Sequence, residues 1–341
     1  MTYTAQQAIG GERSAVLRYS AFDVDGEGGN PAGVVLDARG MDELRMQQIA
    51  AEVGFSETAF LTHDEGVGER RFGIRYFSPL AEVAFCGHAT IATAVALAEQ
   101  RGEAGDLWLA TPAGEVKVET WQENGRILAS LTSVAPAVRE VDEADLGAAL
   151  TALRWDAAEL DPKLPPRIAN AGNDHLVLAA SSRARLADLD YDMEALGDLM
   201  ARCGWTTVHL VWRETETIFH ARDPFPPGGV VEDPATGAAA AAFGAYLRSL
   251  ELVMSPVRVT IHQGHDMGRP SRLLVDVAPG KPQRDQGERN RHADHWLTEP
   301  ECVLDKRGGD QSGRSARAMH PSACPVAALQ GGGRADVSYF R

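Results

Sequence analysis

Cys86-Gly87-His88-Ala89-Thr90-Ile91-Ala92-Thr93-Ala94-Val95-Ala96-Leu97-Ala98 is a glycine-bearing turn that runs into a helix-like stretch with no polar face beyond Thr90 and Thr93. A helix apolar all round must be buried all round. In the second half, Glu232-Asp233-Pro234-Ala235-Thr236-Gly237 opens residues 238–247, again nearly all small and apolar. Runs with strand character flank both: residues 16–24, 32–36, 55–61 and 72–77 before the first helix, 176–178 and 207–212 before the second. This repetition predicts an α+β fold of two pseudo-symmetric domains, each a β-barrel-like sheet wrapped around one central apolar helix.

A chain of 341 residues is long enough for two such cores. Working outward, residues 1–15 read as an N-terminal extension, 16–135 as the first domain and 136–280 as the second. The connection falls at residues 133–140, where Pro136 breaks the periodicity, and Asp42 is placed to cap a helix over residues 42–53. Residues 281–341 carry mixed charge, Gly308-Gly309 and Gly331-Gly332-Gly333, and read as a divergent, disordered tail.

The 48 acidic and 33 basic side chains leave a net charge of −15, which opposes binding to nucleic acid or to anionic membrane surfaces. No apolar run reaches the length of a membrane span. The start of the chain lacks the basic and apolar regions of a secretory signal, so a cytoplasmic protein is expected. Cys86, Cys203, Cys302 and Cys324 are too scattered for a zinc site or a disulfide scaffold and read as reduced thiols.

Chemistry concentrates in three places. Glu57, in Phe55-Ser56-Glu57-Thr58, is a lone carboxylate in a strand pattern: either a solvent-facing side chain, or a partly desolvated acid suited to proton transfer. The Cys86-Gly87-His88 turn is either a helix cap with a satisfied histidine or an anion site of free backbone N–H groups. Asp233 and Thr236 either cap the second helix or, with Gly237 and Ala238, form its counterpart. Two equivalent helix starts suggest one cleft holding a small carboxylate between them. Cys86 and His88 stand two apart on a helix start, which disfavours an activated thiol, although the helix terminus is expected to lower the Cys86 pKa. His262 and His265 read as surface histidines of a turn, so no metal site is expected, and no dinucleotide or P-loop pattern calls for a nucleotide.

Five ordered segments carry a family resemblance: Gly29-Asn30-Pro31-Ala32-Gly33-Val34, Phe55-Ser56-Glu57-Thr58-Ala59-Phe60, Arg75-Tyr76-Phe77-Ser78-Pro79 with Glu82 to Thr90, Glu232 to Gly237, and Gln263-Gly264 with Met267 to Ser271. Together they resemble the PhzF-like phenazine-biosynthesis family, which shares the diaminopimelate-epimerase fold. The resemblance implies a cofactor-independent, metal-free isomerase, in which Glu57 transfers the proton and His88 and Asp233 complete the catalytic set. It places Asn30, Ser56, Cys86, Gly87, Thr236, Gly237 and Ala238 around the substrate, and relatives are often homodimers. Two departures stand out: Ala238 replaces a serine of the phenazine enzyme, and Cys86 occupies a cysteine position of the epimerases while Asp233 replaces the second cysteine. Two alternatives follow, a catalytically silent binding protein and a racemase using Cys86. Residues 281–341 match no family pattern, and if a closing strand after residues 273–277 is missing, the second barrel has an unpaired edge that the tail or a partner subunit must cover.

Overall fold

The structure is a computed structural model that describes residues 15–62, 70–279 and the backbone of 336–339. Two series of elements follow one another. The first comprises β1 (Leu17–Ala21), β2 (Asn30–Val35), α1 (Glu43–Val53), β3 (Glu57–Thr62), β4 (Arg71–Phe77), β5 (Glu82–Val83), α2 (Gly87–Arg101), β6 (Asp106–Thr111), β7 (Gly114–Glu123) and β8 (Arg126–Thr132). After β9 (Ala137–Arg139) and α3 (Glu143–Leu153) comes the second: β10 (Arg167–Asn170), β11 (Asp174–Ala179), α4 (Arg183–Ala187), α5 (Met193–Cys203), β12 (Trp205–Arg213), β13 (Ile218–Phe225), β14 (Val230–Asp233), α6 (Gly237–Ser249), β15 (Val257–Gln263), β16 (Ser271–Val277) and β17 (Asp336–Tyr339).

The pairing is the same in both. β1–β2 is antiparallel, β2–β3 parallel, β3–β4 antiparallel and β4–β6 parallel, with β6–β7 and β7–β8 antiparallel. The order β10–β11–β12–β13–β15–β16–β17 repeats those directions step for step. Each series curls into a half-barrel around its central helix, α2 or α6. β8 and β17 hold the same place in the two series and pair antiparallel with one another, which joins both half-barrels into a 17-stranded ladder.

Every residue of α2 from His88 to Ala98 is buried, as are Ala239 to Leu247 of α6. Small side chains let the curled sheets close on these helices, and one continuous core contains both helices and the inward-facing residues of the strands around them. Inward and outward positions alternate: Phe72, Ile74 and Tyr76 of β4 join this core, while Phe60 and Phe77 face outward onto Met46, Ile49 and Ala50 of α1. Asp42 caps α1 as expected, accepting from the Arg45 N–H at 2.8 Å.

Three features differ from the sequence reading. β9 lies within the expected connection and pairs with β10. Helices α3, α4 and α5, none of them expected, cover the outer face of β10–β12 through Leu153, Leu186, Leu196, Leu199 and Met200, making a second core. Leu196, Leu199 and Met200 have the i, i+3, i+4 spacing that carries this signal. Finally, residues 336–339, within the tail read as disordered, form β17 between β16 and β8 and cover the edge of the second barrel. The rest of the expected tail and the extension over residues 1–14 lie outside the described residues.

Gly244 of α6 shows how closely the sheet approaches. A Cβ added there would meet Val275 Cγ1 at 2.6 Å. In an open helix Gly→Ala stabilises. Here Gly244→Ala is expected to destabilise by about 1–3 kcal/mol through overpacking, read as a lowered urea midpoint at unchanged m-value.

Candidate active site

Glu57 is the first residue of β3 and sits opposite Ala32 in the parallel pair with β2. That register brings the β2 entrance, Asn30-Pro31, beside the start of β3, and the turn ahead of α2 supplies a third wall. His88, the second residue of α2, reaches across, with its Nε2 3.4 Å from Glu57 Oε2 and 3.4 Å from Ser56 Oγ. The Glu57 and His88 side chains are only 15% and 9% exposed, so their contact lies in a largely dry environment. Burial pushes the His88 pKa below that of a free imidazole and outweighs the opposing pull of Glu57 and of the Pro31 carbonyl. At neutral pH the ring is therefore uncharged, and it can donate or accept a hydrogen bond.

Cys86 corrects two expectations. It precedes the first turn of α2 with an extended backbone (φ −143°, ψ 114°), so the facing rule for helical residues does not apply to it. Its Sγ lies 3.3 Å from His88 Nδ1. Nor does the helix start lower its pKa: burial raises the thiol well above the ordinary value and the Glu57 charge adds to this, outweighing one favourable N–H from Ala89. Cys86 is a protonated thiol at neutral pH. Among the described residues, Glu57, Cys86 and His88 are the one group of three donors whose ligand atoms all lie within 4.8 Å of one another. A thiophilic ion would have to displace the Cys86 proton against that shift.

The opposite wall comes from the second series. Asp233 ends β14, and its carboxyl accepts from Asn30 Nδ2 on Oδ1 (2.9 Å) and lies 2.6 Å from Thr236 Oγ1 on Oδ2. Asn30 Nδ2 also donates to the Ala235 carbonyl at 3.0 Å. Thr236 is the N-cap residue of α6, but its side chain makes no cap hydrogen bond and is turned to Asp233 instead. The N–H groups of Gly237 and Ala238, like those of Gly87 and His88, have no intrahelical acceptor, the condition under which a helix start can bind an anion. An added Cβ at Gly87 would meet nothing within 4 Å, so the backbone there is open to a ligand.

Gln263, quoted in the fifth segment but given no role, locks this wall. It is fully buried, donates from Nε2 to the Asp233 carbonyl (2.8 Å) and Thr236 Oγ1 (3.0 Å), and accepts the Thr236 N–H at Oε1 (3.0 Å). The next residue must be glycine: Gly264 has φ 75°, and a Cβ would lie 2.7 Å from the Pro234 carbonyl oxygen. Behind Asp233 lies a second buried polar group that sequence reasoning missed, His175 on β11, Thr207 and His209 on β12 and Asp223 on β13. His265 is an exposed residue of the turn after β15, as expected, whereas His262 lies within β15 and is half-buried; their ring centroids lie 5.4 Å apart, and His220 packs 5.2 Å from His262.

Burial raises the Asp233 pKa from 3.8 to about 8; the charges of Glu57 and Asp223 reinforce the shift, and the hydrogen bonds from Thr236 and Asn30 only partly offset it. The site thus pairs a neutral imidazole and a protonated acid with the Glu57 carboxyl. Two curled half-barrels enclosing such a cleft define an epimerase-like class of acid/base protein.

Residues 19–292 match the family model described as phenazine biosynthesis-like protein. An uncharacterized isomerase of Escherichia coli is 32% identical over 77% of this chain and 89% of its own. The trans-2,3-dihydro-3-hydroxyanthranilate isomerase of Pseudomonas chlororaphis is 31% identical over 74% of this chain and 86% of its own. The crystal structure of the Bacillus anthracis phenazine biosynthesis protein of the PhzF family superposes with a TM-score of 0.67 at 28% identity, covering 76% of this chain and 89% of that one. The chain belongs to the phenazine biosynthesis-like (PhzF) family and is an isomerase.

The Asp233 shift has a consequence for stability. Between pH 3.8 and about 8 the folded chain keeps a proton that the unfolded chain has released. Stability attributable to this group therefore falls as pH rises through that window and levels off above it. Asp233→Asn removes the effect. Urea unfolding at pH 5 and pH 8.5 is expected to show a loss of stability in the wild type that is smaller in the variant; identical pH dependence in the two would refute the raised pKa.

Proposed function

We propose that this isomerase moves a proton on a small carboxylate-bearing substrate without a cofactor, using Glu57 as the transferring group. The observation that supports it best is the placement of the Glu57 carboxyl against His88, within electrostatic reach of Asp233 and beside two uncapped helix starts. Glu57 takes a proton from a carbon next to a carbonyl or conjugated system. The electron pair of the broken C–H bond enters that system, and Glu57 returns the proton to another carbon. The N–H groups of Gly87 and of Gly237-Ala238 hold the substrate carboxylate. His88 orients Glu57, and protonated Asp233 donates a hydrogen bond to the charge that develops.

Asn30 and Thr236 serve the same site by fixing Asp233, since the Asn30 amide nitrogen and the Thr236 hydroxyl already hold its carboxyl. Ser56 and Cys86 flank the imidazole. The methyl group of Ala238 puts no hydroxyl at the α6 start, which favours a substrate other than the dihydro-hydroxyanthranilate named for the Pseudomonas relative. In the same proposal the enzyme works in the cytoplasm as a homodimer on a diffusible small molecule.

Solvent deuterium incorporation into a panel of small unsaturated and 2-substituted carboxylates tests this. Glu57→Gln should slow exchange by about 10²–10⁴ with the melting temperature retained. An unchanged rate removes Glu57 from the chemistry, and tight binding without exchange in the wild type favours a silent binding protein. The contact between Cys86 and His88 motivates a second reading, a racemase in which Cys86 passes its own proton to His88 and, as the thiolate, takes the substrate proton. Cys86→Ser is expected to retain activity within about tenfold, whereas complete loss would support the thiol mechanism.

A further inference from the structure

The least economical feature of the interior is a polar group on the α6 side of the second half-barrel. His175, His209 and Asp223 are fully buried and Thr207 nearly so. Thr207 Oγ1 donates to Asp223 Oδ1 at 3.0 Å, and His209 Nδ1 lies 3.0 Å from both Asp223 oxygens. His175 Nδ1 lies 2.8 Å from Thr207 Oγ1. Because the single Thr207 proton goes to Asp223, the His175 contact requires a proton on Nδ1. Both imidazoles then have bare Nε2 atoms, and these are the atoms that are buried without a partner. A second proton on either ring would be an unpaired buried donor, with the Phe243 ring 5.3 Å from that of His209. The His175 ring is thus neutral, in keeping with its pKa pushed down to about 3 by burial and by His209.

Asp223 accepts from Thr207 Oγ1 and lies against His209 Nδ1, contacts that suit a carboxylate. It faces Asp233: the two are partners in the antiparallel β13–β14 pair, so their side chains leave the same face of the hairpin. Two carboxyl groups so placed in a dry interior share one proton. Asp233 is the member that can hold it, because Thr207 Oγ1 and His209 Nδ1 both lie against the Asp223 oxygens, whereas at Asp233 burial outweighs the donors Thr236 and Asn30.

We propose that Asp223, fixed as an anion by Thr207 and His209, is a positioning residue that keeps the proton on Asp233. Asp223 touches no substrate and acts through its neighbour. The other groups facing Asp233 are Glu57, which acts in the same direction, and Asn30 and Thr236, which oppose it. The inference deepens the proposed proton-transfer role of Asp233 and rests on it for its meaning, but its test needs no turnover and no substrate.

The test follows the side-chain carboxyl carbon of Asp233 by NMR against pH in full-length protein labelled with ¹³C-aspartate, the signal being assigned by its loss in Asp233→Asn. In Asp223→Asn the titration midpoint should fall by at least about one pH unit, a tenfold loss of proton affinity. Thr207→Val keeps the Asp223 carboxyl but removes one of its donors, and should move the midpoint in the same direction by sending the shared proton toward Asp223. Circular dichroism and melting temperature identify which variants are folded, and Thr207→Val decides if Asp223→Asn is not. A midpoint unchanged or raised in the folded variants overturns the proposal. Because exchange activity is not measured, failure of the Glu57 assignment would leave this result intact.

Discussion

The Asn30–Asp233 hydrogen bond joins residues 203 apart in sequence, and the organisation of the cleft depends on it. One amide nitrogen bonds both the Asp233 carboxyl and the Ala235 carbonyl, so the entrance to β2 is fixed to the turn that begins α6. The Gly29 N–H to the Pro270 carbonyl and the Arg272 N–H to the Phe22 carbonyl add backbone links along the same seam. Glu57 begins the strand beside β2, so this seam also sets where Glu57 stands relative to the second half-barrel. Each half alone carries an incomplete site.

The same closeness makes the chemistry. In water a carboxyl group beside an imidazole would simply form a weak ion pair. Here desolvation removes the charge from His88, keeps the proton on Cys86 and holds one on Asp233. All three shifts have burial as their largest cause, so the groups are tuned mainly by the exclusion of water and only secondarily by one another. The apolar helices α2 and α6 provide that exclusion, and their uncapped starts provide the compensating N–H groups where a bound anion would lie.

Much of this was legible in the sequence, for physical reasons that differ by element. α2 and α6 were readable because all-round apolarity has one structural meaning, and the strand alternation around them followed from the inward and outward faces seen in Phe72, Ile74 and Tyr76. Glu57, Cys86, His88, Asp233 and Thr236 were readable as a set, through matched turns. Asp223, His209, Thr207 and Gln263 were harder, because a polar residue in a strand looks the same whether it faces solvent or a buried neighbour. Their roles depend on contacts across β12, β13, β14 and β15, and linear spacing does not encode them. The Cys86 reading failed for a related reason: a helical facing rule was applied to a residue that lies just outside the helix.

The β8–β17 pairing shows what the pseudo-symmetry itself demands. A half-barrel built by one series ends in a strand with a free edge, and a second copy of the series ends in the equivalent edge. Two equivalent edges related by a twofold operation can close only against each other, antiparallel. β17 accepts that role although the family match ends at residue 292, since a central strand position requires backbone hydrogen bonding on both sides. Closure of the ladder then joins the two half-barrels a second time, besides the contact of Asn30 with Asp233. The cleft is thereby held from two places, one specified by a side-chain amide and the other by the backbone.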